Sequence, residues 1–318
     1  MSAHLISIPA TDENFSEEAY LKANPDIVQA VKEGISLKSG KQHYKIFGKA
    51  EQRHVRLPIS AIAAAKIEKL KKIEPLLRYD MPYILPEGYL YNFLGEDLRV
   101  KYNIVATEAV SSNNYGTEVL EIIQKLDKGW ILDCGAGRRD IYYDNVVNLE
   151  IVDYDTTDVL GVGEKLPFKD EVFDCVLSLS VLEHVKDPFL CAREIARVLK
   201  PGGTLICSVP FLQPYHGYPN HYYNMTAQGL KNLFSNDLEI DKVDVGENEL
   251  PVWSLTWILQ NWVKGLEGET RENFLQMKIA DLIDSGDKYI DKDFVTKLPP
   301  EKNFELAYAT LLFAHKKP

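Results

Sequence analysis

The chain has 318 residues, of which 45% are hydrophobic and 26% charged, a composition typical of a globular protein with a full core. A formal net charge of -11 disfavours nucleic acid as a partner. No apolar run is long enough for a transmembrane segment, and the first residues lack the features of a secretion signal. We therefore expect a cytoplasmic protein, whose four cysteines are buried free thiols rather than disulfides or zinc ligands.

The first predicted unit is a small helical module over residues 1–58. Short apolar stretches are interrupted at Asn24-Pro25, Gly34 and Gly48, which indicates short helices, and Ser16 is placed to begin one. The segment resembles a module found beside bacterial glycan-synthesis enzymes, and it matches that pattern at Tyr20, Leu21, Asn24, Pro25, Asp26, Ala30, Val31, Gly34, His43, Tyr44, Gly48, Glu51 and Arg53. The resemblance implies a surface-carbohydrate context, and a folding or docking appendage is the alternative.

Residues 59–104 are predicted to connect this module to the main domain. Apolar residues recur at helical spacing over 59–79 with lysines and glutamates between them, which predicts an amphipathic linker helix whose lysines face solvent. The aromatic stretch from Tyr83 to Tyr102 is broken by proline and glycine, so we expect an irregular lead-in.

Residues 105–318 alternate between helical and strand patterns. We predict helices at 117–126, 187–199 and 226–235, with strands at 129–133, 146–151, 158–160, 173–180, 204–210, 238–244 and 306–315. Buried strands that alternate with helices predict an α/β, doubly wound, Rossmann-like fold with a seven-stranded sheet. Its ligand site is expected beyond the carboxyl ends of the strands, with an acceptor-side cap around 211–225 and 250–300.

The glycine loop ILDCGAGRRD, residues 131–140, follows the first predicted strand of this sheet. Asp133 ends that strand, and Gly135 and Gly137 permit a tight turn close to a ligand. A dinucleotide site would add a third glycine, but the chain has Asp140 at that position. The loop therefore argues against NAD or FAD.

Three further motifs follow in a fixed order: LPF with FD near residues 166–174, LEHV at 182–185 and VLKPGG at 198–203. Together with the glycine loop they resemble the class I S-adenosylmethionine-dependent methyltransferases of the type 11-like group, over roughly residues 117–245. The resemblance implies S-adenosyl-L-methionine as cofactor and S-adenosyl-L-homocysteine as product. It implies that Asp133 and the Gly135–Gly137 backbone hold the amino-acid end of the cofactor.

The resemblance also assigns the nucleoside end. Glu150, or alternatively Asp153, would bind the ribose hydroxyls, and Ile151 would pack on the adenine. Family members often have an aspartate that accepts from the adenine amino group, whereas this chain has Val162, so backbone groups there or Asp158 would have to serve. Gly163 and Leu179 complete the predicted cofactor residues.

The connection between the glycine loop and the second strand is short. Only residues 138–145 separate them, too few for a full crossover helix. We hypothesise that Arg138 or Arg139 supplies the positive charge that a helix N-terminus would otherwise offer to the cofactor carboxylate. The alternative is that both arginines decorate a surface loop.

The acceptor side is predicted around three histidines. His184 follows the fourth strand and is a candidate general base, or a structural histidine bonded to a carbonyl. The segment PYHGYPNHYYNMT, residues 214–226, should roof the pocket, with His216 and His221 as further catalytic candidates and Tyr215, Tyr218, Tyr222, Tyr223 and Asn224 as substrate contacts. A rigid lid without substrate contact is the alternative, and no metal cluster is evident from spacing.

Residues 250–268 contain three tryptophans and few basic residues, which favours a buried cap or a homodimer face over an interfacial membrane helix. We expect methyl transfer to a hydroxyl of a glycan or sugar-linked metabolite, with a glycan-assembly protein as a candidate partner. The alternatives are a small non-sugar metabolite or lipid as acceptor, and a scaffold that binds cofactor without catalysis.

Overall fold

The computed structural model describes residues 2–34, 37–105, 107, 111, 114–217, 219–310 and 312. Its strands are β1 Ala3–Leu5, β2 Ser7–Pro9, β3 His54–Arg56, β4 Tyr91–Asn92, β5 Ile131–Cys134, β6 Ile141–Tyr143, β7 Val146–Glu150, β8 Val159–Leu160, β9 Phe173–Leu179 and β10 Leu199–Ser208. Its α-helices are α1 Glu17–Ala23, α2 Pro25–Glu33, α3 Gly40–His43, α4 Ala63–Ile73, α5 Glu96–Tyr102, α6 Thr117–Lys125, α7 Pro188–Val198, α8 Ala227–Phe234, α9 Pro251–Gly265, α10 Gly268–Leu275, α11 Asp293–Thr296 and α12 Pro300–Glu305.

A parallel sheet in the order β10-β9-β5-β7-β8-β4 forms the centre of the molecule. Its central strands are apolar on both faces because helices cover both. One face packs against α7 and α8, and Ile131 on the other packs against Val119 and Ile123 of α6. The predicted doubly wound α/β fold is confirmed, and the strand ends meet along one edge.

The prediction of seven strands is wrong for the part of the chain that is described. The sheet there has six strands, one of which is the short β4 in the predicted lead-in. Residues 238–244 alternate in hydrophobicity but are largely exposed and unpaired. Of the predicted last strand, 306–315, residues 306–310 and 312 are not extended in a sheet, and the others lie outside the described residues.

The N-terminal region is joined to the main sheet domain by a strand pair. The connection between β5 and β7 contains β6 in place of a crossover helix, as its length predicts. β1 pairs antiparallel with β6, with His4 opposite Tyr142, and β2 pairs with β3. Ile6, Ile62 and Tyr142 form a small buried cluster beneath this junction. Residues 1–58 thus share a β-ribbon and a core with the cofactor-loop region.

The first two helices, α1 and α2, begin and end where the sequence predicts. The Ser16 hydroxyl accepts from the Ala19 N–H at 3.1 Å at the start of α1, and Pro25 opens α2. Gly34 closes α2 in the left-handed conformation, with φ of 65°. Their core is formed by Tyr20, Ile27, Tyr44 and Val55.

The prediction that the α4 lysines face solvent is wrong for two of them. Lys66 and Lys69 are only 1% and 2% exposed, because α4 packs against the main sheet domain. The Lys69 ammonium lies 2.6 Å from an Asp158 carboxylate oxygen, and the Lys66 ammonium donates to the Asp155 carbonyl at 2.9 Å. Burial lowers the pKa of both lysines, and the nearby carboxylates oppose that shift.

The C-terminal helices form a small separate core. Trp262 of α9 packs on Phe274 and Phe294, while Val252, Trp253 and Leu255 at the start of α9 are exposed. The predicted cap is therefore buried along one part of α9 only. Across the described residues, no helix combines the length and the hydropathy that crossing a bilayer requires.

Candidate active site

The carboxyl ends of the central strands open into one cleft. Each strand contributes lining residues directly after it or at its end: Gly135 after β5, Glu150 and Ile151 at the end of β7, Val162 and Gly163 after β8, and Ser180 and Val181 after β9. Five of the ten predicted cofactor residues belong to this set. The motifs that are distant in sequence thus converge at a single edge of the sheet.

Gly135 begins the turn after β5 in a conformation that favours glycine, with φ of 84°. A Cβ atom there would lie 2.5 Å from a Cγ atom of Val181, so the turn and Val181 leave no space for a side chain. The N–H groups of Gly135 and Ala136 both donate to the Leu149 carbonyl, at 2.9 and 3.0 Å. These contacts hold the turn against the end of β7, so the glycine is needed for the loop itself.

Glu150 places its carboxylate at the floor of the cleft. One carboxylate oxygen accepts from the Gly137 N–H at 2.8 Å, and the other accepts from the Ile151 N–H at 2.7 Å. Burial raises the pKa of Glu150, and the two backbone donors partly oppose that shift. The carboxylate is therefore fixed in direction by the glycine loop.

Asp133 and Arg139 pair with each other behind the loop. Nε and Nη2 of Arg139 donate to Oδ2 of Asp133 at 3.0 and 2.7 Å, and the Tyr115 hydroxyl donates to the same oxygen. The Arg139 guanidinium lies 4.0 Å from the centre of the Tyr115 ring. Neither residue lines the cleft, and their charges neutralise each other in a buried environment. The expectation that both face the cofactor does not match this geometry.

Gly137, Arg138 and Leu179 are also absent from the cleft lining. Nη1 of Arg138 donates at 2.5 Å to the carbonyl of Lys22, the penultimate residue of α1, because the short connection turns this side chain towards the N-terminal module. A Cβ atom at Gly137 would lie 2.9 Å from the Ser111 carbonyl oxygen, and Leu179 packs on the α6 side of the sheet. Arg138 is buried, which excludes the alternative of a surface decoration.

The two aspartates considered for the nucleoside do not line the cleft either. Asp158 is fully buried beside Lys69, accepts from the Asn148 N–H at 2.9 Å and accepts from the Tyr142 hydroxyl. Asp153 lies outside the lining, while Val162 contributes to it. Recognition of an adenine amino group at Val162 would therefore depend on backbone carbonyls.

The lead-in segment adds residues that the sequence motifs did not reveal. Tyr102, Ile104, Thr107 and Ser111 line the cleft opposite the strand ends. Their only sequence signal was the aromatic character of the stretch that ends at Tyr102. Glu164 lines the cleft as well, and its carboxylate accepts from the Lys186 N–H at 3.0 Å, which braces the segment after LEHV.

The three predicted histidines lie together at the mouth of the cleft, and His184 is part of its lining. The ring centroids of His184 and His216 are 5.1 Å apart, and those of His216 and His221 are 4.3 Å apart. Nδ1 of His184 lies 2.6 Å from the Asn220 carbonyl oxygen, and Nδ1 of His216 lies 2.9 Å from that of Pro214. Burial lowers the pKa of His184 to about 4 and also lowers that of His216, so both rings are neutral at neutral pH.

Glu183 lies directly beneath this cluster. Its side chain is fully buried, and neither carboxylate oxygen has a hydrogen-bond partner among the described residues. Burial raises the pKa of Glu183 to about 8. The backbone carbonyl of Glu183 accepts from the N–H groups of Tyr222 and Tyr223, at 2.7 and 3.2 Å, so its main chain orients the lid. Its carboxyl group was not predicted as a functional group.

The predicted lid, residues 214–226, is held over the cleft by its polar tips. Tyr215 stacks on His221 at 5.8 Å, and the Asn224 side-chain oxygen lies 2.8 Å from Nε2 of His221. The Tyr223 hydroxyl donates to the Lys186 carbonyl, and the Asn103 amide donates to the Tyr222 hydroxyl. In this segment the lining comes from Pro219 and Asn220, and Tyr218 lies outside the described residues.

Comparison with known proteins locates the same region. Residues 135–207 match the family model described as "Methyltransferase domain". A ubiquinone biosynthesis O-methyltransferase of Maricaulis maris is 49% identical over 49 residues, which are 15% of this chain and 19% of that protein. A ubiquinone/menaquinone biosynthesis C-methyltransferase of Haemophilus ducreyi is 27% identical over 134 residues, which are 41% of this chain and 51% of that protein. The chain thus spans about half or less of the curated relatives it matches.

Among solved structures, a SAM-dependent methyltransferase from Thermotoga maritima aligns with a TM-score of 0.28 and 22% identity, covering 38% of this chain and 70% of that one. This overlap is too low to bear on function. The family match and the curated relatives agree with the order of the motifs and with the parallel sheet. Over residues 135–207 the chain is therefore similar to methyltransferase domains, in a parallel α/β sheet of the kind that the motifs predict.

Proposed function

We propose that the protein transfers the methyl group of S-adenosylmethionine to a hydroxyl of a glycan or sugar-linked metabolite and releases S-adenosylhomocysteine. One observation carries the proposal. Within the region that matches a methyltransferase domain, the glycine turn at Gly135, the directed carboxylate of Glu150 and the imidazole of His184 line one cleft. A methyl acceptor and a nucleoside cofactor need these features side by side.

The residues of the cleft fit this cofactor. Gly135 lines the cleft where the amino-acid end would approach the backbone, and the half-buried carboxylate of Glu150 would accept from both ribose hydroxyls. Ile151 and Val162 would pack on the adenine. When bound, S-adenosylmethionine supplies an electrophilic methyl group on a sulfonium sulfur.

The two arginines that were predicted to supply a positive charge to the cofactor carboxylate have other partners. Because Arg139 is paired with Asp133 and Arg138 contacts the N-terminal module, we assign both arginines to holding the loop. The predicted roles of Asp133, Gly137 and Leu179 are likewise indirect, through the shape of the loop and strand.

The sugar-like acceptor is favoured by the lid. The lid combines tyrosine hydroxyls, histidine imidazoles and asparagine amides, and these groups together suit a polar ring with several hydroxyls. The N-terminal resemblance to a glycan-associated module points to the same acceptor class. The histidine cluster at the cleft mouth would serve the acceptor hydroxyl, where its proton must leave during transfer.

A quinone precursor or another lipid is the second candidate acceptor. The names of two curated relatives mention ubiquinone or menaquinone biosynthesis. The exposed apolar start of α9, with Val252, Trp253 and Leu255, would suit a hydrophobic tail. This candidate predicts a phenolic hydroxyl or ring carbon as the methyl acceptor.

Two measurements test these proposals. Calorimetry with S-adenosylhomocysteine should give a single site, and the absence of binding at millimolar concentration would refute the enzyme proposal. Transfer of labelled methyl groups should then be measured on nucleotide-linked sugars, short oligosaccharides and prenylated or unprenylated catechols. Labelling of the catechols alone would select the second candidate. Binding without transfer to any acceptor would favour a cofactor-binding scaffold.

A further inference from the structure

We propose that Glu183, His184 and His216 bind one divalent transition-metal ion at the mouth of the cleft. Each residue offers one ligand atom, and the three atoms lie within 4.8 Å of one another. Ligands of one ion at about 2.1 Å lie roughly 3–3.5 Å apart, so binding requires side-chain movements of about 1 Å. Two imidazoles and one carboxylate favour Zn²⁺, Co²⁺, Fe²⁺ or Mn²⁺ over the all-oxygen coordination of Mg²⁺.

The first support comes from Glu183. A buried carboxyl group is normally hydrogen-bonded, because removing it from water without a partner is costly. Glu183 is fully buried, and among the described residues neither of its oxygens accepts a hydrogen bond. One of these oxygens lies 3.8 Å from Nε2 of His184, on the side where the histidines cluster. A cation between them would satisfy the carboxylate.

The second support comes from the orientation of the two rings. A backbone carbonyl oxygen can only accept, so Nδ1 of His184 carries a hydrogen towards Asn220 and Nδ1 of His216 carries one towards Pro214. In each neutral ring Nε2 is then unprotonated and can be a ligand. Metal-binding histidines are typically oriented by such a bond from the other ring nitrogen.

His221 is not one of the three proposed ligands, but it stabilises their arrangement. Its Nδ1 accepts from the His216 backbone N–H at 3.1 Å, and its Nε2 lies 2.8 Å from the Asn224 side-chain oxygen. The lid backbone on which Asn220 and His216 lie is itself fixed, because the Glu183 carbonyl accepts from the N–H groups of Tyr222 and Tyr223. The lid and the LEHV motif therefore hold the ligands in one arrangement.

The location suggests what the ion does, and this step rests on the proposed function. Because His184 also lines the cleft, the ion would lie at the edge of the pocket that we assign to the cofactor, within reach of an acceptor hydroxyl bound there. A coordinated hydroxyl loses its proton to water at lower pH than a free one. The acceptor oxygen then forms the new bond to the methyl carbon, the carbon–sulfur bond breaks, and its electron pair stays on the sulfur, which becomes a neutral thioether.

The site can be tested without any acceptor. Protein stripped with a chelator and dialysed is titrated with Co²⁺ alone, following visible absorption and binding heat. We expect one ion per chain, and affinity reduced in Glu183→Gln and His216→Asn by more than the 10- to 100-fold typical of losing an outer-shell partner. His221→Ala should fall within that range. Unfolding curves establish that each variant is folded. If only one of the two ligand variants folds, its Co²⁺ affinity alone tests the site.

His4→Ala is the matched control. His4 also pairs with a carboxylate, with Nε2 at 2.9 Å from Asp144, but it lies outside the cluster, so its loss should leave Co²⁺ affinity unchanged. No stoichiometric binding, or full affinity in both folded ligand variants, would overturn the metal site. Titration of the stripped protein with S-adenosylhomocysteine separates the two proposals. Cofactor binding without Co²⁺ binding refutes the metal site alone, and the reverse result refutes the methyltransferase proposal alone.

Discussion

Replacing Arg56 by methionine should destabilise the whole protein, although Arg56 lies in the predicted N-terminal module. Its guanidinium is completely buried and contacts Asp155 at 2.6 and 2.5 Å. It also contacts Asp140 at 3.1 Å and donates to the Arg139 carbonyl at 2.9 Å. These partners belong to the glycine loop and to the segment after β7, so Arg56 joins the module to the cofactor side of the sheet.

The expected loss follows from the burial of both partners. The side chain of Asp155 is only 8% exposed, so Arg56→Met leaves a carboxylate without its bidentate partner. Removing one member of a buried ion pair costs about 3–5 kcal/mol, because the remaining charge is desolvated and uncompensated. Folded domains are stable by only about 5–15 kcal/mol, so the variant should be close to its unfolding limit. A second change, Asp155→Asn, should recover part of the loss.

Urea unfolding of four proteins measures this effect: the parent chain, Arg56→Met, Asp155→Asn and the double variant. The double-mutant cycle should give an interaction energy of about 0.5–3 kcal/mol. Arg53→Met is the control, three residues away, because Arg53 pairs with Asp26 and Glu51 at the surface and such pairs contribute about 0–1 kcal/mol. Equal losses in Arg56→Met and Arg53→Met would refute the reasoning.

Three further predictions concern the cleft and the core. Glu150→Gln should weaken S-adenosylhomocysteine binding by about 10- to 150-fold in calorimetry, since hydrogen bonds to a charged group contribute about 1.5–3 kcal/mol; unchanged affinity would exclude the ribose role. Gly135→Ala should destabilise more than Gly202→Ala in urea unfolding, because both glycines have positive φ but only Gly135 also meets Val181; equal losses would contradict that packing. Burial raises the pKa of Cys175 to about 12, so its thiol should react with a disulfide reagent at pH 8 only after unfolding; fast labelling of the native protein at Cys175, read by mass spectrometry, would contradict its burial.

The sheet could be predicted where a strand is long and buried on both faces. β9, at Phe173–Leu179, carries an apolar run bounded by turn residues and is buried along most of its length. Short strands gave no such signal. β1 has three residues, and its partner Tyr142 lies 138 residues away from His4 along the chain, so nothing local indicated their pairing. Residues 238–244 were wrongly predicted as a strand. Their hydrophobicity alternates, but alternation alone does not provide a neighbouring strand to pair with.

The burial of charged side chains was a second feature that the sequence did not predict. Spacing along α4 predicted solvated lysines, yet α4 packs against the sheet domain, where Lys69 pairs with the Asp158 carboxylate and Lys66 donates to the Asp155 carbonyl. A helical period describes which residues share a face, and it does not tell whether that face meets water or an acidic partner. The same holds for Arg138, whose contact with the Lys22 carbonyl joins two regions that are separated by more than a hundred residues.

The cofactor loop shows that residue type alone does not reveal which partner a charged side chain meets. The family resemblance placed Asp133 at the cofactor, and the short connection after the glycine loop suggested that Arg138 or Arg139 supplies a positive charge there. Tyr115, outside the motif, completes a buried cluster in which the charges of Asp133 and Arg139 neutralise each other. Glu183 has the opposite relation to its surroundings. Its buried carboxyl group lacks a hydrogen bond among the described residues, while two oriented imidazoles lie beside it. A charge whose partner is present is explained by the fold, whereas a buried charge without one requires a proton or a ligand, and this difference makes Glu183 the more informative residue to mutate.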